Sequence, residues 1–291
     1  MIVIPPIDCT SGALSATNAV DLAAYAAGTT FAFDAVCSYA KRNWISVQAG
    51  NFAHTPGTDT LWWVDNGPIN SLAMFDTSVQ TATTRTGGLQ WTLAVGRFTS
   101  IGLMGLVGQS VTVAIRDGAT VIFSETRTLA SSAGSYYSFC LDTFFQTSET
   151  AFYGLPSTPL ATVTIGIAGP GITSCGLCVI GKQFFAGNAQ YGFSVPLEDR
   201  GRHYLDALGN PVNVERGYSK GVSGTIETDR VNFNRLTAFF AEHIGEPMLW
   251  VATPDQSDLI SSTVFGRYVR AVPVISSQSQ ITASLEIAGY R

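Results

Sequence analysis

Three tryptophans and their polar neighbours are the residues here best suited to chemistry. Trp44, Trp62 and Trp63, with Asp65, Asn66 and Asn70 close by, have the makings of a glycan platform. Flat ring faces can stack on the C–H faces of a sugar, while carboxylates and amides bond its hydroxyls. Adjacent residues on a strand point to opposite sides, so at most one of Trp62 and Trp63 faces a given side. One is expected in a core, the other at an interface or a ligand.

Other candidates carry less. Cys175-Gly-Leu-Cys178 has the CxxC spacing of redox and zinc sites. A redox pair usually opens a helix, and a zinc knuckle needs a second CxxC or a histidine pair. The following Val179-Ile180-Gly181 reads as strand, where cysteines three apart face opposite ways, so buried structural thiols are expected. His54, His203 and His243 stand apart in sequence, with no G-x-S-x-G elbow and no H-E-x-x-H. Gly166-Ile-Ala-Gly169-Pro-Gly171 lacks the following helix that a phosphate cradle needs. Glu198-Asp199 reads as a solvated loop pair rather than a spaced glycosidase pair. The expectation is a protein that is not an enzyme, with no catalytic residue, metal or cofactor.

The elements that must hold these residues are β-rich. Charged residues make up only 13% of the 291 and glycines number 29, so this chain has to bury much of its surface. Disorder has the opposite signature. Of the 16 Lys and Arg, seven lie in 1–190 and nine in 191–291, so no basic tail or stripe announces a nucleic acid. No apolar run reaches the roughly 18 residues that span a bilayer. The start, MIVIPPIDCT, has no basic n-region and carries Pro5-Pro6 in its apolar patch, which points to a chain kept in a cytoplasm. Five cysteines, an odd number at irregular spacing, argue against a disulfide framework.

The reading is all-β in four parts. Residues 1–19 form an arm whose strand must be short or at an edge, because Pro5 and Pro6 cannot donate to a ladder. Residues 20–66 hold two or three small strands. Residues 67–190 alternate like a jelly-roll-like β-sandwich, with Asp117-Gly118 as a hairpin signal. Residues 191–291 form a β-sandwich with a single amphipathic helix over about 231–244. There Asp229 or Asn232 is the N-cap candidate, Leu236, Phe239, Phe240 and Ile244 share a face, and Gly245 and Pro247 stop the helix.

Two resemblances sharpen this. The order Tyr25, Gly28, Val36, Tyr39, Trp44, Pro56, Trp62/Trp63 resembles small chitin-binding-type carbohydrate-binding modules, departing from them at Phe33-Asp34-Ala35, where those show Gly-Asp. Degenerate copies of such modules also serve as plain structure in virion proteins. The wider order is similar to tail and baseplate proteins of tailed bacteriophages. Trp62–Asp76 (WWVDNGPINSLAMFD), Gln80-Thr81, Val179–Lys182, Tyr191–Val195, Arg216–Lys220 and Gly245–Trp250 carry that likeness, with Ile69 where the family more often has Thr. The resemblance implies a distal-tail-like ring subunit, six-fold or within a six-fold assembly. It would join other phage tail proteins (tube, hub and tape measure) in the virion tail tip after assembly in the host cytoplasm. The other implied role is adhesion to a host surface glycan. A tail-associated hydrolase is a third reading, for which no nucleophile, metal set or spaced acid pair is recognisable.

Overall fold

A computed structural model of the chain describes residues 1–10, 12–129, 140–141, 146–206, 208–214, 218–253 and 262–290. It is an all-β sandwich architecture of antiparallel sheets with a short helix near the C-terminus. No helix among the described residues is long and apolar enough to cross a membrane.

The body is a stack of three sheets and the helix. The middle sheet has three strands, Glu149–Tyr153, Ser100–Met104 and Leu177–Gly181, in that order. The last two are buried at every position, and their apolar runs suit strands covered on both faces. Side chains alternate between the two faces. Ile101, Leu103, Cys178 and Ile180 turn to one core with Trp91, Val113 and Ile165 of the outer five-stranded sheet. Met104, Leu177 and Val179 turn to another with Ile2, Ile4, Leu249 and Phe265 of the seven-stranded sheet.

The outer sheet runs Thr120–Thr128, Ser110–Asp117, Ala161–Ala168, Leu89–Leu93, Leu14–Thr17. The seven-stranded sheet takes Phe184–Phe185, Ile2–Ile4, Met248–Val251, Thr263–Ile275, Gln280–Gly289, Val222–Asp229 and Asn188–Ala189. The C-terminal sandwich therefore uses the middle sheet as its second layer. The N-terminal arm lends the seven-stranded sheet an inner strand, Ile2–Ile4, which ends where Pro5 can no longer donate. The expected boundary near 190 runs through this sheet, since Phe184–Phe185 and Asn188–Ala189 both belong to it.

Helix Phe233–Glu242 covers the far face through Leu236, Phe239 and Phe240, beside Trp250 and Tyr268. Ile244, expected on that face, lies beyond the last turn and is exposed. Asn232 is the N-cap but makes no side-chain cap bond; its amide donates to Thr228 Oγ1 at 3.2 Å instead. Gly245 follows the helix with φ +81.

Close approach between layers depends on absent side chains. A Cβ on Gly102 would lie 1.9 Å from Leu249 Cδ2, and one on Gly181 would lie 2.0 Å from the Pro5 carbonyl oxygen. A leucine tip can shift a little; a backbone carbonyl cannot. Gly181→Ala is therefore expected to cost about 3 kcal/mol by overpacking. Gly28→Ala, where nothing lies within 4 Å, should stay within about 0.5 kcal/mol. Urea unfolding of both variants checks this, and a neutral Gly181→Ala would mean the first strand does not hold its place.

Candidate functional site

The first module carries the three tryptophans on and beside a small antiparallel sheet. Val36–Tyr39, Arg42–Ser46 and Trp63–Pro68 form a three-stranded sheet, and Thr30–Phe31 pairs with Asn51–Phe52. The hairpin between the first two strands turns through Ala40 and Lys41, both at positive φ (50 and 66), a turn that Asn-Gly would make with less strain.

Trp63 is the core of this module, 2% exposed. Its ring meets Phe31 edge-on at 5.0 Å and Tyr25 at 6.0 Å, and its Nε1 donates to the His54 carbonyl at 2.8 Å. Trp62 turns the other way. It is half-buried, with the His54 ring stacked on it at 4.2 Å and 11°. His54 in turn lies 3.5 Å from Asp59. Trp44 is half-buried too, its Nε1 donating to the Tyr39 carbonyl at 3.2 Å and its ring against Gly57. Trp44 and Trp62 thus border the same loop, 53–61, while Trp63 does not reach the surface. Asp65 sits opposite Trp44 on the ladder but is engaged by Arg42 at 2.5 Å and by the Gly67 amide at 2.8 Å. Partial burial pushes its carboxyl up, yet the Arg42 bond and the Gly67 amide outweigh this and hold it below the usual range. Asn66 is exposed beside it. His54, which stands apart in sequence, is the residue that sequence reasoning missed here.

Asn70 belongs to the seam and not to the surface. Its amide donates to the Val20 and Thr84 carbonyls at 3.0 and 2.9 Å, and its Oδ1 accepts from the Thr84 N–H at 2.9 Å. Next to it, the Ser71 N–H and hydroxyl both donate to Asp21, at 2.7 and 2.8 Å. The 3-10 turn Asn70–Phe75 then carries Met74 into the main core.

The cysteine pair is buried, but not for the expected reason. The strand breaks at Gly176, with Cys175 ending Ile172–Cys175 and Cys178 inside Leu177–Gly181. Both sulfurs therefore enter one core, together with Cys9, instead of facing apart. Burial pushes all three thiols up, Cys9 to about 11 with help from Asp8. These are inert thiols at neutral pH. Among the described residues no cluster of His, Cys, Asp or Glu could hold a metal ion.

A third location holds charge. Lys220 Nζ donates to Glu149 Oε2 at 2.6 Å, with the side chains only 13% and 17% exposed. The partners are 71 residues apart, so no local pattern announces them. Lys220 and Tyr218 come from the Arg216–Lys220 motif, of which Arg216 and Gly217 lie outside the described residues.

No family model matches this chain, and no curated protein matches it. Among solved structures it is similar to the F5/8 type C domain of a Bacteroides fragilis protein, at 13% identity and a TM-score of 0.27. The match covers 40% of this chain and 82% of that one. A score that low establishes no shared fold.

Beyond Pro196 the chain leaves the body as an arm of two successive hairpin ladders. Leu197–Asp199 pairs with Tyr218–Lys220, and Arg202–Leu205 pairs with Pro211–Val214. His203 staples it, with Nε2 2.8 Å from Asp199 Oδ2 and Nδ1 3.0 Å from Asn213 Oδ1. The bonds to Asn213 and then Asp199 raise the His203 pKa from its ordinary 6.5; the Gly201 amide and then His203 lower that of Asp199 from 3.8. A raised histidine contributes order fully below its unfolded value and loses it as pH rises through its folded one. A lowered carboxylate contributes above its unfolded value and loses it as pH falls through its folded one. The arm should therefore be best ordered between about pH 4 and about pH 6.5. Amide protection factors over 202–206 and 208–214, which remove the intrinsic rise of exchange with pH, should fall above that window, and His203→Ala should flatten that fall.

Proposed function

We propose that this chain is a structural ring subunit of a bacteriophage tail tip or baseplate, built to join copies of itself and neighbouring tail proteins. The observation that carries the reading is an open sheet edge. Strand Thr263–Ile275 pairs with Met248–Val251 only through Thr263–Gly266. Among the described residues, eight of its remaining nine positions pair on one side alone, with Gln280–Gly289, and Val269 sits in a bulge. Val269, Val274 and Ile275 along that stretch are 57%, 52% and 51% exposed. That edge mixes these apolar residues with exposed Arg267 and Arg270, and closure by neighbouring copies around a symmetry axis would take it out of solvent. Pro273 supplies no N–H, so 267–272 is the segment suited to accept a strand. The arm supports the same reading. It exposes Leu197, Leu205, Leu208 and Tyr218, and an isolated two-stranded ribbon is marginal in water without a partner surface. The sequence resemblance to phage tail proteins gives the assembly its name and its six-fold expectation.

Light scattering should find a discrete oligomer, most simply a hexamer, and cryo-microscopy of the virion should place the chain in the tail tip. Val269→Lys with Ile275→Lys should dissociate the ring while leaving the unfolding free energy within about 1 kcal/mol, since both side chains are exposed. A strict monomer, together with no density in the tail tip, would sink the proposal.

One observation favours a second reading, adhesion to a host glycan. Trp62 and His54 form a stacked pair on the surface of the first module, next to Trp44, with exposed Leu61 alongside. On this reading Trp62→Ala should lower adsorption or glycan-array binding about tenfold, the scale of one lost aromatic contact. Trp63→Ala should instead unfold the module. Unchanged binding by a folded Trp62→Ala variant would remove the idea.

A further inference from the structure

Between the middle sheet and the seven-stranded sheet, at the root of the arm, lies a cavity of about 260 Å³. Residues far apart in sequence converge on it. Gln80 and Glu149 come from one side, Tyr218 and Lys220 from the returning strand of the arm, Phe265 from the paired start of Thr263–Ile275, and Tyr290 from just beyond Gln280–Gly289. Met104 and Val264 supply the rest of an apolar floor.

Three features define what could occupy it. The first is the Glu149–Lys220 pair. Burial raises the Glu149 pKa against the pull of Lys220, so the pair is held at a cost of desolvation. Apolar residues of similar volume would serve a fold as well or better than such a pair. A costly polar pair on a cavity wall is a mark of a binding site. The second is charge balance. The pair is neutral as a unit, which disfavours an ionic ligand, yet it keeps capacity for neutral hydroxyls. Nζ can donate three hydrogen bonds and gives one to Glu149 Oε2, while Oε1 remains an acceptor. The third is the aromatic wall. Phe265 and Tyr290 meet edge-to-face at 6.2 Å and 84°, fixed by the Tyr290 N–H donating to the Phe265 carbonyl at 2.8 Å. Tyr218, 59% exposed, stands at the mouth. The volume falls below the roughly 300–1,000 Å³ of sites for larger ligands, so it suits a single small ring.

We propose that this cavity binds one neutral polyhydroxylated ring, a monosaccharide unit. Glu149 and Lys220 would share its adjacent hydroxyls, Gln80 would bond a third, and the exposed rings of Tyr290 and Tyr218 would carry its C–H face, with the buried Phe265 behind Tyr290. The site is separate from Trp62 and does not depend on ring assembly.

The test is saturation-transfer NMR and calorimetry on the full chain with D-glucose, D-galactose and N-acetylglucosamine, and with glucuronate and glucosamine as charged counterparts. At least one neutral sugar should bind with a Kd of about 1 to about 10 mM. Glu149→Gln and Tyr218→Ala should each weaken it about tenfold. Glu149→Gln leaves Lys220 unpaired and could loosen the fold; Tyr218→Ala removes an exposed side chain and keeps the test valid. Ile244→Ala, an exposed residue outside the cavity lining, should leave this affinity unchanged. Three results would overturn the proposal: no neutral sugar binding at about 50 mM, binding that survives both cavity variants, or a charged sugar bound more tightly than its neutral counterpart. None of them bears on the oligomeric state, so this proposal and the ring reading fail separately.

Discussion

The structure depends on one sheet being buried on both sides. Ser100–Met104 and Leu177–Gly181 have no solvent face, so each residue must satisfy a core on its own side. Odd positions of the first strand serve the core shared with the five-stranded sheet, and even positions serve the core beneath Leu249 and Phe265. A one-residue slip would exchange the two sets, and neither core would fit. Gly102 and Gly181 set the spacing, because the neighbouring layer occupies the volume where their side chains would be. Once that sheet is placed, the N-terminal strand has a fixed seat. Ile2 and Ile4 face the middle sheet while Met1 and Val3 face the helix side.

A polar seam couples this body to the first module. Asn70 closes bonds to Val20 and Thr84, and Asp21 receives both donors of Ser71, so a short link is held from two directions. An Asn side chain satisfying three backbone groups leaves little freedom for the module to swing. Trp63, on the preceding strand, holds the module's own aromatic core. The stretch that looks like a sugar platform in sequence is therefore half scaffold. Its inward ring builds the module, its Asn fixes the joint, and its outward ring alone faces the surroundings.

The sequence shows what is local. Alternation gave the strand runs and the all-β class, the helix face was visible in Leu236, Phe239 and Phe240, and Trp62 and Trp63 do part company, although Trp62 lies in the turn before the strand and not on it. What stayed hidden depends on pairs distant in sequence. The first strand's place inside the C-terminal sheet rests on contacts with residues near 250, and Glu149–Lys220 spans 71 positions. The cysteine argument erred for a local reason, since one glycine ends a strand and lets both sulfurs turn into one core. Ile244 misled because its spacing fits the helix while the helix has already ended at Glu242, with His243 as its C-cap. His54 gave no signal, because its partner Trp62 lies across a turn and not at strand or helical spacing.

The remaining tension is between a well-filled interior and an apolar exterior. The buried cores account for the low charge in the body, but not for the surface of the arm or the edge at 267–275. Leu208 at 87% exposure and Leu205 at 68% lie on a ribbon with solvent on both faces. Exposed apolar residues scattered singly are ordinary, whereas a run along one projecting ribbon and another along an unpaired strand are features of contact surfaces. Charge is low over the whole chain, at 13%, although Arg267 and Arg270 lie on the edge and Glu198, Asp199, Arg200, Arg202 and Asp206 on the ribbon. The surface that remains to be covered is strand edge and ribbon, which other β elements cover best. Repeated copies provide such elements in fixed geometry, and a closed ring would leave no copy with its edge exposed.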